Sequence, residues 1–214
     1  METILFKVKT LIRPTYKKLF PGVIEFLQKE LKGCESVLDL GCGKDSFIQE
    51  CDVPFKVGVE IFESYIEESK RKGIHNKYIK EDVNKVNFEP KSFDAIIMID
   101  VLEHLTKEDG YRLLKKMEGW AKKKIIIFTP NGYIDNDHVD GNPLQGHKSG
   151  WSVDEFKKEG YGVWGANGWK ALRGKGARFK FGPNFLAFVV STLSQKVTYY
   201  FPRIAFHLFA VKKI

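Results

Sequence analysis

VLDLGCG, Val37 to Gly43, places an aspartate near the end of an apolar run and a pair of glycines directly after it. Other short apolar runs lead to Glu60, Asp82 and Asp100, so four carboxylates follow one another at intervals of 21, 22 and 18 residues. Each interval is about one strand plus one helix, which sets all four acids along one edge of one parallel sheet. Ligands of such sheets bind at that edge, beyond the carboxyl ends of the strands. The glycine pair lets a ligand come close to the backbone.

The charges around the turn separate two ligand classes. A dinucleotide brings a pyrophosphate, which needs an open helix N-terminus and normally the three glycines of GxGxxG. Here the turn reads Gly41-Cys42-Gly43-Lys44-Asp45-Ser46, with no third glycine at that spacing and with carboxylates at Asp39 and Asp45. Such a turn repels phosphate and attracts an ammonium or a sulfonium. S-adenosylmethionine carries both cations, a ribose diol and an adenine, and the acids are spaced to meet them in turn. Glu60 stands 19 residues past Gly41 at the end of FKVGVE, the position of the ribose-binding acid in a wound sheet.

Taken together, VLDLGCG, the acid of VGVE, the EDV triplet at Glu81 to Val83, and FDAIIMIDVLEHL followed by IIIFTPNG resemble the class I S-adenosylmethionine-dependent methyltransferases over residues 35–165. The resemblance implies that Gly41 and Gly43 lie under the methionine part and that Asp39 supports its amino group through the loop. It implies further that Glu60 takes the ribose hydroxyls and Asp82 the adenine amino group, with Val83 and Asp100 completing the cofactor set. One departure is Asp45, where the family usually has glycine. Each acid also has a plainer use: Asp45 and Ser46 as caps of the next helix, Asp82 as a turn residue and Asp100 as a solvated strand end.

At 214 residues the chain is long enough for one wound sheet with small additions and too short for two full enzyme domains. A net charge of +8 permits an acidic partner without selecting one. Cys34, Cys42 and Cys51 match no zinc spacing, and they read as reduced thiols of a cytoplasmic protein. METILFKVKTLIR has lysines within its apolar stretch and no signal-peptide core. Residues 14–32 show helical periodicity, with Phe20, Val23, Phe26, Leu27 and Leu31 on one face. Strands are expected at 36–40, 55–60, 77–80, 93–98, 124–129, 161–165 and 205–211, separated by helices. The fold class is therefore α/β, a doubly wound, Rossmann-like seven-stranded sheet with helices on both faces. The resemblance adds that the last strand runs antiparallel to the rest. A single domain is expected over 1–214: an N-terminal helical cover (1–34), a cofactor-binding core (35–165), and an apolar helix with the last strand (166–214).

Methyl transfer is a displacement at an activated carbon, so the protein must align the nucleophile and remove a proton from an alcohol or phenol. Groups able to do so cluster at Asp100-Val101-Leu102-Glu103-His104, at the start of a helix, and between Asn131 and Gly150. A loop of that length in a compact domain is usually functional or disordered. His104 is the expected general base, because imidazole titrates near neutrality, with His147 second; a structural role for His104 at the helix start is the plainer alternative. Asp135, Asp137, His138 and Asp140 miss the EF-hand spacing and read as a solvated turn. Asp100, Glu103, His104 and His147 also resemble the metal site of small-RNA 2′-O-methyltransferases, which implies magnesium or manganese. The Glu-His pair resembles quinone-biosynthesis O-methyltransferases as well, whose acceptors carry isoprenoid tails. The run Phe181 to Gln195 is uncharged for 15 residues and follows Lys170, Arg173, Lys175, Arg178 and Lys180. It is short of the ~20 residues that span a bilayer, and it reads either as a core helix or as a peripheral membrane anchor. The function expected is O-methylation of a small-molecule or lipid-linked acceptor. The alternatives are ribose 2′-O-methylation of RNA with a metal site, and a non-catalytic cofactor-binding subunit.

Overall fold

The computed structural model describes residues 22–136, 143–174, 178–180 and 184–214. Strands β1 (Ser36–Leu40), β2 (Phe55–Glu60), β3 (Lys77–Lys80), β4 (Phe93–Ile99), β5 (Ala121–Pro130), β6 (Gly162–Trp169) and β7 (Ala205–Lys213) form one sheet in the order β3-β2-β1-β4-β5-β7-β6. The first five strands are parallel, and β7 runs antiparallel between β5 and β6. All seven expected strands are present, and the last has the expected direction. The order reverses between β1 and β4, which opens the crevice where wound sheets bind ligands.

The strands are buried on both faces, which is why they read as continuous apolar runs. On one face Leu38, Leu40, Ile96, Met98, Ile125 and Ile127 pack beneath Leu113 and Met117 of α3 (Lys107–Trp120), Phe156 of α4 (Val153–Lys158), and Trp151 just before α4. On the other, Val37, Ile97, Ile126 and Phe128 meet Phe26 and Leu27 of α1 (Val23–Glu30), and the Phe26 ring stacks on Phe209 at 3.9 Å. α1 covers the sheet as expected, starting at Val23; residues 14–21 of the expected helix lie outside the described residues. α2 (Glu63–Lys72) joins β2 to β3.

Two expectations change. Glu103 and His104 do not open a helix; they form a separate 3-10 turn, Leu102–His104, and α3 begins only at Lys107, where the Thr106 hydroxyl accepts from Asp109 N. The apolar segment forms α5 (Asn184–Tyr200), which is held to β6 largely by polar side chains, with Ala187 buried and Tyr199 partly buried beside them. Asp137, His138 and Asp140 lie outside the described residues.

Candidate active site

The carboxyl ends of β1, β2, β3 and β4 border a cavity of about 360 Å³. Asp39, Gly41, Gly43, Glu60, Asp82, Val83 and Asp100 all line it, so every expected cofactor residue reaches one space. Among the described lining residues six carboxylates face one lysine, Lys148, and that balance favours a cationic ligand.

The glycine turn is shaped by close packing. Gly41 has φ +70°, and a Cβ there would stand 2.4 Å from Val101 Cγ2. Gly43 has φ +57°, and the space its Cβ would fill is open. A ligand can therefore lie against the backbone. Glu60 is buried, and its carboxylate accepts from the amides of Gly43 (3.0 Å), Ile61 (2.9 Å) and Phe62 (2.9 Å). A carboxylate has about four acceptor sites, so capacity remains for a ribose hydroxyl. Asp39 is nearly as buried, and its Oδ2 accepts from Ser46 Oγ at 2.5 Å and meets His75 Nε2 at 2.9 Å. Its carboxylate bolts the turn to the sheet, which fits support of the ligand through the loop.

The plainer roles coexist with the cavity. Ser46 caps the 3-10 turn Phe47–Glu50 by accepting from Ile48 N. Asp45 swings out to Lys72 Nζ at 2.5 Å. Since Asp45 is absent from the positive-φ residues, the turn does not need a glycine there. Asp82 Oδ1 accepts from Asn84 N at 2.9 Å, closing a turn while still facing the cavity. Asp100 has φ 53°, a left-handed backbone that aspartate tolerates better than most residues. Its amide donates to Phe128 O at 2.9 Å, which turns the chain from β4 into the Glu103-His104 segment.

His104 lines the cavity; Glu103 and His147 stand behind it. His104 Nδ1 lies 3.3 Å from Gly146 O, and His147 Nδ1 lies 2.6 Å from Ile134 O. A carbonyl only accepts, so each Nδ1 carries the proton and each Nε2 keeps its lone pair. The two rings are 4.9 Å apart. Burial lowers the pKa of both and so favours their neutral forms, opposed by the bond to Gly146 at His104 and by that to Ile134 at His147. Glu103 is fully enclosed and accepts from Thr129 Oγ1 at 2.9 Å, while its backbone oxygen accepts from Lys148 N and Ser149 N. Burial first, then the charge of Asp100, raises its pKa; enclosure also raises that of Asp100. One ligand atom each from Glu103, His104 and His147 lie within 4.8 Å of one another. Three of the four expected metal ligands therefore converge, and Asp100 is outside that group.

Residues 38–128 match the family model described as a methyltransferase domain. The chain is therefore similar to a methyltransferase domain over that span. Its fold is shared with an S-adenosylmethionine-dependent methyltransferase from Archaeoglobus fulgidus at 21% identity, over 94% of this chain and 98% of that one, with a TM-score of 0.56. The plantazolicin methyltransferase BpumL, solved with SAH bound, is 16% identical over 100% of this chain and 90% of that one, with a TM-score of 0.54. The methyltransferase domain of a bacterial protein, CtHen1-CN, is 18% identical over 89% of this chain and 97% of that one, with a TM-score of 0.52. No curated protein matches the chain.

The domain also uses residues that the sequence reading did not single out. His75, which precedes β3, completes the Asp39 bolt, and Thr129 and Lys148 hold Glu103. The sequence held one signal for His75: Gly58 inside β2, since a glycine within a strand marks a close approach. A Cβ at Gly58 would stand 2.8 Å from Cys42 Sγ and 3.2 Å from the His75 ring.

Proposed function

We propose that this methyltransferase transfers the methyl group of S-adenosylmethionine to an oxygen of a small or lipid-linked acceptor, with His104 as general base. The observation that carries the reading is the placement of His104 on the wall of the cavity that Asp39, Glu60, Asp82 and Asp100 line, with Nδ1 on Gly146 O and burial lowering its pKa. When bound, the cofactor supplies a methyl group activated by the sulfonium. The chain's acids attract and orient that cation, Glu60 receives ribose hydroxyls, and Asp82 faces the adenine amine. His104 accepts the acceptor's hydroxyl proton as the oxygen is methylated, a role for which a base poised below neutrality is suited. Transfer from labelled cofactor into separated RNA, lipid and small-molecule pools tests the proposal. Label in the lipid or small-molecule pool, on oxygen, is expected; label only on nitrogen or carbon overturns it.

The convergence of Glu103, His104 and His147 favours a second reading, ribose 2′-O-methylation of RNA assisted by magnesium or manganese. The Nδ1 bonds to Gly146 and Ile134 are the outer-shell contacts that orient ligating imidazoles. Labelled RNA together with activity lost to a chelator and restored by either ion would select it.

A further inference from the structure

The C-terminal helix is inside out. Its buried face is Ala187, Ser191, Gln195 and Thr198, and Thr198 is fully enclosed. These polar groups hold the helix to β6: Gly168 N donates to Gln195 Oε1 at 2.8 Å, Gln195 Nε2 donates to Gly165 O at 3.3 Å, and Ser191 Oγ donates to Asn167 O at 3.2 Å. The backbones meet because both β6 partners are glycines. A Cβ at Gly165 would stand 2.1 Å from Thr198 O, and one at Gly168 2.1 Å from Ser191 O.

With its polar side turned in, α5 turns its apolar side out. Leu186, Val190, Leu193, Val197 and Tyr200 follow at intervals of four and three residues, so they form one stripe about 21 Å long. Leu193 is 62% exposed, Val197 54% and Tyr200 75%. Exposed apolar stripes of this extent mark interaction surfaces. Trp169, exposed beside the stripe, donates its amide to Ser194 Oγ.

Charge selects the occupant. Residues 160–214 hold nine lysines and arginines and no aspartate or glutamate, whereas the rest of the chain has a net charge of −1. Lys170 follows Trp169, and Arg178 and Lys180 precede the helix; all three are exposed. A second copy docked through this face would set two such cationic segments against each other, because a two-fold interface joins the same patch to itself. Among the described residues no helix is long and apolar enough to cross a membrane. We infer that the outward stripe of α5 docks the protein in the plane of an anionic lipid surface, with the flanking cations on the lipid phosphates. Apolar residues beside lysines and arginines, with tryptophan and tyrosine at the boundary, are the features of interfacial helices. The inference is independent of the acceptor's identity.

Co-sedimentation of the full chain with vesicles, phosphatidylcholine alone against phosphatidylcholine with phosphatidylglycerol, tests it without any methyl transfer. Binding is expected only with the anionic lipid, weakened by salt, with a blue shift in tryptophan emission. Leu193→Asp is expected to weaken it about 10- to 100-fold, the range for an apolar side chain kept from burial, and Lys170→Gln or Lys180→Gln about fivefold each. Both kinds of change lie on exposed positions, and circular dichroism checks that the variants are folded. No binding, equal binding to both vesicles, or binding indifferent to these substitutions overturns the inference. A solution dimer dissolved by Leu193→Asp also overturns it, assigning the face to a second copy.

Discussion

Glu60 gathers three amides of its own chain around one buried carboxylate, so any hydrogen bond it accepts from a ligand hydroxyl is charge-assisted and preorganised. Glu60→Ala is expected to weaken S-adenosylhomocysteine binding by about 1.5–3 kcal/mol, roughly 10- to 150-fold by calorimetry. Thermal unfolding without ligand separates this from loosening of the turn; unchanged affinity would put the ribose elsewhere. His104→Ala is expected to cut turnover by about 10²-fold while cofactor affinity stays within a few fold; parallel loss of both would make His104 structural. Glu103 gives a test that needs no acceptor. Its folded pKa is raised, so the folded state binds the proton more tightly than the unfolded one. The corresponding stability is complete below the unfolded value of about 4.3 and is lost as pH rises toward the folded value. In Glu103→Gln the stability relative to wild type should therefore climb with pH in urea titrations. A cation on Glu103, His104 and His147 would hold the carboxylate ionised and oppose the wild-type loss. Manganese should then raise the wild-type melting temperature more at high pH than at low pH, and should fail to do so in Glu103→Gln. The absence of any wild-type shift rules out the metal reading.

At the level of elements, the chain states its strands more plainly than its last helix. β1, β2, β4 and β5 are buried on both faces, so an uninterrupted apolar run left little choice of structure, and glycines and acids marked their ends. α5 was located by the same apolar content, but its orientation was not legible. Apolar periodicity gives the position of a stripe and is silent on whether the sheet or the solvent faces it. The deciding detail lies on β6, where Gly165 and Gly168 admit a helix backbone and its polar side chains. Similarly, LEH reads as a helix start until Thr106 caps α3 four residues beyond Leu102. The helix docking can be tested. Gly168→Ala meets Ser191 O and must hold alanine at φ +73°; it is expected to cost about 1–3 kcal/mol or more in urea unfolding. Leu193→Ser, on the outer face of the same helix, is expected to stay within about 0.5 kcal/mol of wild type. The reverse ranking would mean that the stripe, not the glycine seam, holds α5 to the sheet.

Across the whole molecule, the site is a property of the sheet's order rather than of any one motif. β1 pairs with β2 on one side and β4 on the other, so Asp39, Glu60 and Asp100 reach one cavity only when the crossovers on both sides are complete. This is why the convergence of the acids was legible: evenly spaced acids on parallel strands must share an edge. The grouping of Glu103, His104 and His147 was less so, because it depends on Gly146, Ile134 and Thr129, contacts made without sequence periodicity. A ligand bridging β1, β2 and β4 binds only the folded sheet and therefore stabilises the entire domain. At 100 times its dissociation constant it contributes about 2.7 kcal/mol, or roughly 5–11 °C in melting temperature for a chain of this size. S-adenosylhomocysteine is expected to give that shift, and NAD at the same concentration is expected to give none, since its pyrophosphate would meet the carboxylates that line the cavity. A shift with NAD equal to or larger than that with the adenosyl ligand would reverse the assignment of this edge from a sulfonium site to a phosphate site.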